Sequence, residues 1–192
     1  MTAMRLLYHL WLSPFSRKVR LVIGEKGLDV TLKVEKVWER RDAFVALNPT
    51  GEVPVLVVED GMVLADSWAI TEYLDEAYPE PPLIGRSPAM RAETRRLTAW
   101  FDQKFHAEVT VNLVNEKNMK RFLGLGEPNS SAIRAGNQNI HYHLEYIGYL
   151  TERRRWIAGD ELTLADLAAA AHLSCVDYLG DVPWDDHPAA RD

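Results

Sequence analysis

Two serines stand where the sequence predicts the first turn of a helix. Ser13 precedes Pro14, and proline suits the first position of a helix because it lacks an amide hydrogen. Ser67 comes just before an apolar stripe with helical spacing. A helix N-terminus favours negative charge, and a hydroxyl there can donate a hydrogen bond to a thiolate and lower the pKa of that thiol. Ser13 could therefore stabilise a thiolate, and Ser67 could bind a carboxylate.

The alternative role of the first serine is structural. Ser13 and Ser16 are both good capping residues, and they could do no more than satisfy amides in the first helical turn. The sequence leaves the two roles of Ser13 open. Near the other end of the chain, Thr163-x-x-Asp166 is a capping-box pattern, from which we expect a stabilised helix start and no chemistry.

The composition excludes several classes of protein. The 192 residues carry a formal net charge of −6, which is not typical of a nucleic-acid-binding protein. No apolar run approaches the roughly 20 residues of a membrane span, and residues 1–12 predict a first strand rather than a signal peptide. Cys175 is the only cysteine, so an internal disulfide and a thiolate metal cluster are both excluded. We expect a cytoplasmic protein that holds no metal, enters no membrane and binds no nucleic acid.

Residues 1–79 have the pattern of an α/β domain. Apolar runs, helical stripes and turn residues follow one another in the order βαβαββα. In the second strand, Val30, Leu32 and Val34 alternate with polar residues, which predicts that this strand is half-buried.

A proline-rich segment divides the chain. Proline restricts its own φ and the residue before it, so residues 80–88 are predicted to form an extended linker. Residues 89–192 have helical periodicity, including one long helix from about residue 89 to 123. We therefore expect an all-helical second domain.

The order of these elements resembles the glutathione transferase superfamily, in which a thioredoxin-like domain is followed by a helical one. Four segments carry the resemblance, at residues 13–20 (SPFSRKVR), 48–56 (NPTGEVPVL), 64–70 (LADSWAI) and 159–166 (GDELTLAD). They occur in the family's order and at its spacing. The resemblance implies an α/β plus all-α fold: a βαβαββα thioredoxin-like domain and a helical bundle domain.

The resemblance assigns roles to residues of the first domain. Ser13 falls where the family places its catalytic residue. Ser16 stands where redox relatives carry a second cysteine, so this loop cannot perform thiol–disulfide exchange. A cis bond between Val53 and Pro54 would present the Val53 backbone to the cysteinyl part of glutathione, as an edge strand does.

The chain departs from the family pattern at the turn that binds the γ-glutamyl group. Ser67 matches that turn, but Asp66 replaces the usual glutamate and is one methylene shorter. We expect glutathione, the only cofactor that the resemblance implies, to bind weakly or not at all. The chain also ends where relatives commonly continue into a final helix, so we expect that helix to be missing from it.

A narrower resemblance connects the chain with the glutathione-transferase-like division proteins of alphaproteobacteria. Residues 24–27, 35–41, 116–117 and 178–184 carry it. Those proteins bind filaments of the tubulin-like protein FtsZ and affect filament curvature and constriction of the cell. The resemblance implies that this chain also binds FtsZ filaments, at the division site.

Two cationic clusters are candidates for such a contact. Trp38 stands beside Arg40 and Arg41, which combines an aromatic anchor with charges that would attract the acidic FtsZ filament. The second cluster consists of Lys117, Lys120 and Arg121. The alternatives are that Trp38 packs beneath the next short helix and that the cations form an ordinary solvated surface.

The sequence therefore leaves two functions open. The first is a non-enzymatic interaction protein whose partner is FtsZ. The second is a transferase that conjugates glutathione to small electrophiles, with Ser13 stabilising the thiolate. The resemblance implies a homodimer, for which a tyrosine stripe offers apolar surface. The stripe consists of Tyr142, Tyr146 and Tyr149.

Overall fold

A computed structural model describes residues 5–191 of the chain. The described residues form two compact units, with the boundary between Leu83 and Ile84. Residues 1–4 and 192, on which parts of the predicted first strand and last domain fall, lie outside the described residues. The first unit is a mixed sheet with helices and the second is helical, so the predicted fold class is confirmed.

The first unit has the predicted βαβαββα order. Its elements are β1 (Arg5–His9), α1 (Pro14–Glu25), β2 (Val30–Val34), a 3₁₀ turn (Val37–Glu39), α2 (Asp42–Val45), β3 (Val55–Val57), β4 (Val63–Ala65) and α3 (Ser67–Ala77). The four strands lie in the order β2-β1-β3-β4. β1 is parallel to β2, which requires the α1 crossover, whereas β3 is antiparallel to both β1 and β4.

The centre of the sheet is apolar because β1 and β3 are covered on their faces. Leu7, Val55 and Leu56 are completely buried there. The prediction for β2 was wrong, since Leu32 is 44% exposed and Val34 is 45% exposed. β2 lies at the edge of the sheet, and alternation alone does not show whether anything covers the apolar face of an edge strand.

The second unit consists of helices. Its elements are α4 (Pro88–Ala99), a π-helical segment (Trp100–Met119), α5 (Lys120–Phe122), α6 (Ser130–Thr151), α7 (Leu164–Asp177), a 3₁₀ turn (Trp184–Asp186) and α8 (Pro188–Arg191). The first three are continuous and confirm the predicted long helix. Its buried residues Phe101, Phe105, Val109 and Leu113 recur every four positions and form the core of the unit.

A glycine brings α6 close to the π-helical segment. A Cβ atom at Gly136 would lie 2.8 Å from Leu113 Cγ and 2.9 Å from Asn112 Cβ. No larger residue fits there without a shift of these neighbours, so the glycine permits the close approach of the two helices.

The predicted capping box at the start of α7 is confirmed. Thr163 Oγ1 accepts a hydrogen bond from the Ala165 amide at 3.3 Å, and Asp166 Oδ2 accepts one from the Thr163 amide at 2.9 Å. The second carboxylate oxygen of Asp166 accepts a hydrogen bond from the Ile157 amide at 2.8 Å. The pKa of Asp166 is raised because burial disfavours the charged carboxylate, and these hydrogen bonds oppose only part of that effect. Among the helices of residues 5–191, none is long and apolar enough to cross a bilayer.

Candidate functional site

Three predicted site segments converge on one end of the sheet in the first unit. The residue pairs Tyr8–Val55 and Val55–Ala65 are in register, so the end of β1, the start of β3 and the end of β4 lie side by side. The loop to Ser13 leaves this end, Val53–Pro54 enters it, and Asp66 follows directly after β4. The topology thus assembles residues that are more than fifty positions apart.

Ser13 caps α1 and keeps a hydrogen to donate. Its Oγ accepts a hydrogen bond from the Ser16 amide at 3.2 Å, in extended backbone geometry typical of an N-cap. Because that hydroxyl is the acceptor in this bond, its own hydrogen stays available to a ligand. Ser16 is buried, and its hydroxyl oxygen accepts a hydrogen bond from the Leu10 amide at 3.4 Å. The structural and functional roles of Ser13 are therefore compatible.

The segment before β3 is held by one buried asparagine. Asn48 Nδ2 donates to the Glu52 carbonyl at 2.9 Å, and Asn48 Oδ1 accepts from the Thr50 amide at 3.4 Å. The Val53–Pro54 bond that follows is cis. Val53 is half-buried and Pro54 is buried.

Asp66 is engaged with the helix that it precedes. Its backbone has a φ of 73°, and its Oδ1 accepts a hydrogen bond from the Trp68 amide at 2.7 Å. Aspartate is among the best N-cap residues, whereas a glutamate is not. Ser67 is the first residue of α3 and is buried. The carboxylate that would meet a glutathione amino group is therefore directed to the backbone of α3.

A buried histidine at the same end of the sheet was not found from the sequence. His9 is completely buried, and neither of its ring nitrogens has a hydrogen-bond partner among the described residues. Burial lowers the pKa of His9, and the charge of Arg20 lowers it further. The ring of His9 makes an edge contact with Trp11, with 4.7 Å between centroids. The sequence signal for the burial of His9 was its position two residues after the apolar Leu7, because alternate residues of a strand lie on the same face.

Trp38, Arg40 and Arg41 lie together at the turn after β2, but they are not equivalent. Arg41 Nε donates to Glu35 at 3.0 Å, and its second bond to the same buried carboxylate raises the pKa of Arg41. Trp38 is half-buried, and Arg40 is exposed with a left-handed φ of 43°. Arg41 therefore has a structural partner, while Trp38 and Arg40 present surface to solvent.

The second cationic cluster is largely neutralised. Lys117 contacts both carboxylate oxygens of Asp181 at 2.6 Å, and Lys120 donates to Glu116 at 2.9 Å. A hydrogen bond from the Asn129 amide, followed by that from Lys120, lowers the pKa of Glu116. Arg121 is exposed and has no carboxylate partner among residues 5–191. This cluster thus offers less free positive charge than its sequence indicates.

The histidines of the second unit form polar contacts that stabilise its interior. Trp100 Nε1 donates to His143 Nδ1 at 3.0 Å, so the ring proton of a neutral His143 is on Nε2, 3.0 Å from Glu108 Oε2. His172 Nδ1 lies 3.0 Å from Thr110 Oγ1. No cluster of three or more metal-binding side chains occurs in the part of the chain that the structure describes.

Comparison with known proteins connects both units to one family. The glutathione S-transferase N-terminal domain matches residues 12–77, and the glutathione S-transferase C-terminal domain matches residues 137–192. FtsZ-localized protein A of Caulobacter vibrioides is 47% identical, over 100% of this chain and 85% of that protein. Maleylacetoacetate isomerase of Pseudomonas aeruginosa is 30% identical, over 96% of this chain and 87% of that protein.

Two solved structures are similar over almost the whole chain. A glutathione S-transferase from Rhodospirillum rubrum has 59% identity and a TM-score of 0.95, covering 97% of this chain and 84% of its own. FzlA from C. crescentus has 48% identity and a TM-score of 0.94, covering 98% of this chain and 84% of its own.

Proposed function

The chain belongs to the glutathione S-transferase family, and we propose that within this family it is an FtsZ-localised interaction protein that binds FtsZ filaments and regulates their curvature and cell constriction. The observation that carries the proposal is the 47% identity to FtsZ-localized protein A over 100% of this chain. That identity is well above the 30% to maleylacetoacetate isomerase, which also covers almost the whole chain.

The surface after β2 supports a binding role. Trp38 is half-buried rather than enclosed, and Arg40 beside it has no carboxylate partner among the described residues. An aromatic side chain with an unneutralised cation fits an acidic filament surface. Of the three cations predicted in the second unit, only Arg121 has no carboxylate partner among the described residues, and no aromatic anchor was predicted with it. We therefore place the centre of the proposed contact at Trp38 and Arg40.

The end of the sheet supports weak glutathione binding. The Asp66 carboxylate accepts a hydrogen bond from the Trp68 amide, and the aspartate side chain is one methylene shorter than the usual glutamate. A lost charge-assisted hydrogen bond is worth about 1.5–3 kcal/mol, which is roughly tenfold to a hundredfold in affinity. We propose that the protein acts as a homodimer without a tightly bound cofactor, at the division site.

The exposed tyrosines of α6 support the homodimer. Tyr142 is 54% exposed and Tyr149 is 53% exposed, and both lie on the same long helix. Trp100 extends this aromatic surface, with its ring centroid 4.6 Å from that of Tyr146. Large exposed aromatic surfaces of this kind are typical of protein interfaces.

The second candidate function is glutathione transfer to small electrophiles. The hydrogen of the Ser13 hydroxyl is free to stabilise a thiolate, which favours this candidate. In that mechanism Ser13 would lower the thiol pKa by donating to the thiolate, and Ser67 would hold the γ-glutamyl carboxylate at the start of α3.

Co-sedimentation with polymerised FtsZ tests the first function, and calorimetry with glutathione tests the second. We expect the wild-type protein to pellet with filaments in a saturable, salt-sensitive manner. We expect a glutathione isotherm that is weak or absent. Failure to pellet, together with a tight isotherm that Ser67→Ala abolishes, would refute the interaction protein and establish the transferase.

A further inference from the structure

The outer edge of β2 is an exposed strand with apolar side chains. β2 pairs with β1 on one side, and no described strand lies on its other side. Leu32 and Val34 are 44% and 45% exposed, although valine and leucine in a strand are usually covered. Native proteins normally protect such an edge, because it is a template for pairing with another chain.

The backbone of this edge is available for pairing. The Glu35 amide donates to the His9 carbonyl at 3.0 Å, which shows that the odd-numbered residues of β2 turn their backbone groups towards β1. Backbone groups alternate in direction along a strand, so those of Leu32 and Val34 point away from the sheet. The same two residues therefore offer both apolar side chains and free hydrogen-bonding groups.

The opposite face of β2 carries one cation. Lys33 lies above the ring of its register partner Tyr8, with Nζ 5.1 Å from the ring centroid. Among residues 5–191, Lys36 is paired with Glu39 and Arg41 with Glu35, whereas Lys33 has no carboxylate partner. A strand added at this edge would meet an uncompensated positive charge on that face.

We propose that β2 accepts an extended peptide segment of a partner protein as a fifth strand. The segment places apolar side chains beside Leu32 and Val34 and an acidic side chain beside Lys33. Main-chain hydrogen bonds supply affinity in this mode, and the alternating side chains supply specificity. The proposal does not depend on FtsZ being the partner, because it rests on the edge and its charge alone.

The charge of Lys33 also disfavours one register of a second copy of the chain as the occupant. In a two-fold antiparallel pair of β2 strands centred on Lys33, two ammonium groups would stand directly opposite each other. Like charges in that position are destabilising, whereas an acidic residue there is favourable.

The probe for the test is a blocked octapeptide of alternating valine and glutamate. Amide hydrogen exchange of the wild-type protein, followed by NMR, is measured with and without it. We expect exchange at Leu32 and Val34 to slow by about tenfold or more at saturation, while the β1-facing amides are unchanged. A peptide that bound through apolar contacts alone, without pairing with the strand, would not slow hydrogen exchange selectively at these two amides.

Two variants separate the backbone from the side chain. Leu32→Pro removes an outward amide that β1 does not use, which an edge strand tolerates, and Leu32→Thr keeps that amide. We expect the proline variant to lose about tenfold or more in peptide affinity, and the threonine variant clearly less.

A third variant, Lys33→Glu, tests the charge and leaves the outward backbone groups of Leu32 and Val34 in place. It should prefer a valine–lysine peptide over the valine–glutamate one.

Three results would overturn the proposal. The first is unchanged exchange at Leu32 and Val34 with millimolar peptide. The second is equal peptide affinity of wild type and Lys33→Glu. The third is protection of the same amides that rises with protein concentration in the absence of peptide, which would assign the edge to a second copy.

Discussion

The ammonium group of Lys26, the residue that caps the C-terminal end of α1, forms an ion pair with Asp75 on α3, and the lysine side chain is completely buried. The same ammonium donates to the carbonyls of Tyr78 at 2.7 Å and Pro81 at 2.6 Å. Asp75 also accepts a hydrogen bond from the Leu83 amide at 2.8 Å. One ion pair therefore attaches the last residues of the first unit to two of its helices.

Replacing that lysine should destabilise the first unit strongly. Lys26→Met removes all three ammonium contacts, including the ion pair with the Asp75 carboxylate. Breaking a buried ion pair in this way typically costs about 3–5 kcal/mol of the free energy of unfolding. Urea denaturation measures it, with Lys36→Met as the control. The exposed Lys36–Glu39 pair should contribute less than about 1 kcal/mol, and equal losses in both variants would contradict the prediction.

Trp38→Ala should keep the fold and reduce filament binding. Truncating an interface anchor typically costs about 2 kcal/mol or more, or roughly thirtyfold in affinity, whereas a core tryptophan would cost about 3–5 kcal/mol of stability. Co-sedimentation with FtsZ and a thermal melt distinguish the two. Trp11→Ala is a matched control, since Trp11 is 56% exposed and is not part of the proposed filament contact. A large drop in melting temperature for Trp38→Ala would make it a packing residue.

Lengthening the side chain at position 66 should increase glutathione affinity. Asp66→Glu restores the reach of the carboxylate and frees it from its role as helix cap, for which glutamate is poorly suited. We expect roughly a tenfold to hundredfold tighter isotherm in calorimetry. The double variant with Ser67→Ala should lose the gain. An unchanged isotherm in Asp66→Glu would show that another feature limits glutathione binding.

Two glycine-to-alanine changes should have opposite effects. Gly136→Ala forces a Cβ to within 2.8 Å of Leu113, and overpacking of this kind costs about 1–3 kcal/mol. Gly24→Ala in α1 meets no atom within 4 Å and should stabilise the protein by up to about 1 kcal/mol through helix propensity. Chemical denaturation of both variants provides the comparison. A stabilised Gly136→Ala would show that the two helices separate without cost.

The second unit should lose stability as the pH falls below neutral. Burial, and then the charge of His172, lowers the pKa of His106 to about 4, and burial also lowers the pKa of His143. Between the unfolded value of about 6.5 and these lower values, only the unfolded chain binds the protons, so stability rises with pH there and is complete above about 6.5. Each such proton contributes a slope of up to about 1.4 kcal/mol per pH unit.

Denaturation midpoints measured from about pH 8 to about pH 5 test this titration. The midpoint should be flat at the upper end and fall towards the lower end. His106→Gln should reduce the fall, because glutamine binds no proton in either state. A wild-type midpoint that is constant down to pH 5 would contradict the prediction.

Local patterns predicted much of the fold, and contacts between distant residues account for what they missed. The capping box at Thr163 and the helix start at Ser13 depend on neighbours within three positions, so the sequence shows them directly. Lys26 was overlooked because its partners lie 49 to 55 residues away. The burial of β2 was mispredicted for a related reason. Period-two alternation specifies two faces of a strand, but the neighbours of an edge strand determine which face is covered.

The position of the candidate site was harder to predict than its residues. Ser13 and Ser67 were found from helix-start patterns, yet only the strand register brings them to one end of the sheet. His9 carries no motif of its own, and its burial follows from the covering of β1. The engagement of Asp66 as a helix cap was visible in principle, because aspartate before an apolar helical stripe is a common N-cap.

The short range of the Asp166 contacts has a consequence for the order of events during folding. Its carboxylate connects the Ile157 and Thr163 amides, which are only nine and three residues away. Closing so short a loop costs little chain entropy, so these bonds can form before the distant helices meet. We expect the turn before α7 to be structured early on the folding pathway of the second unit, with α6 and the π-helical segment docking onto it afterwards.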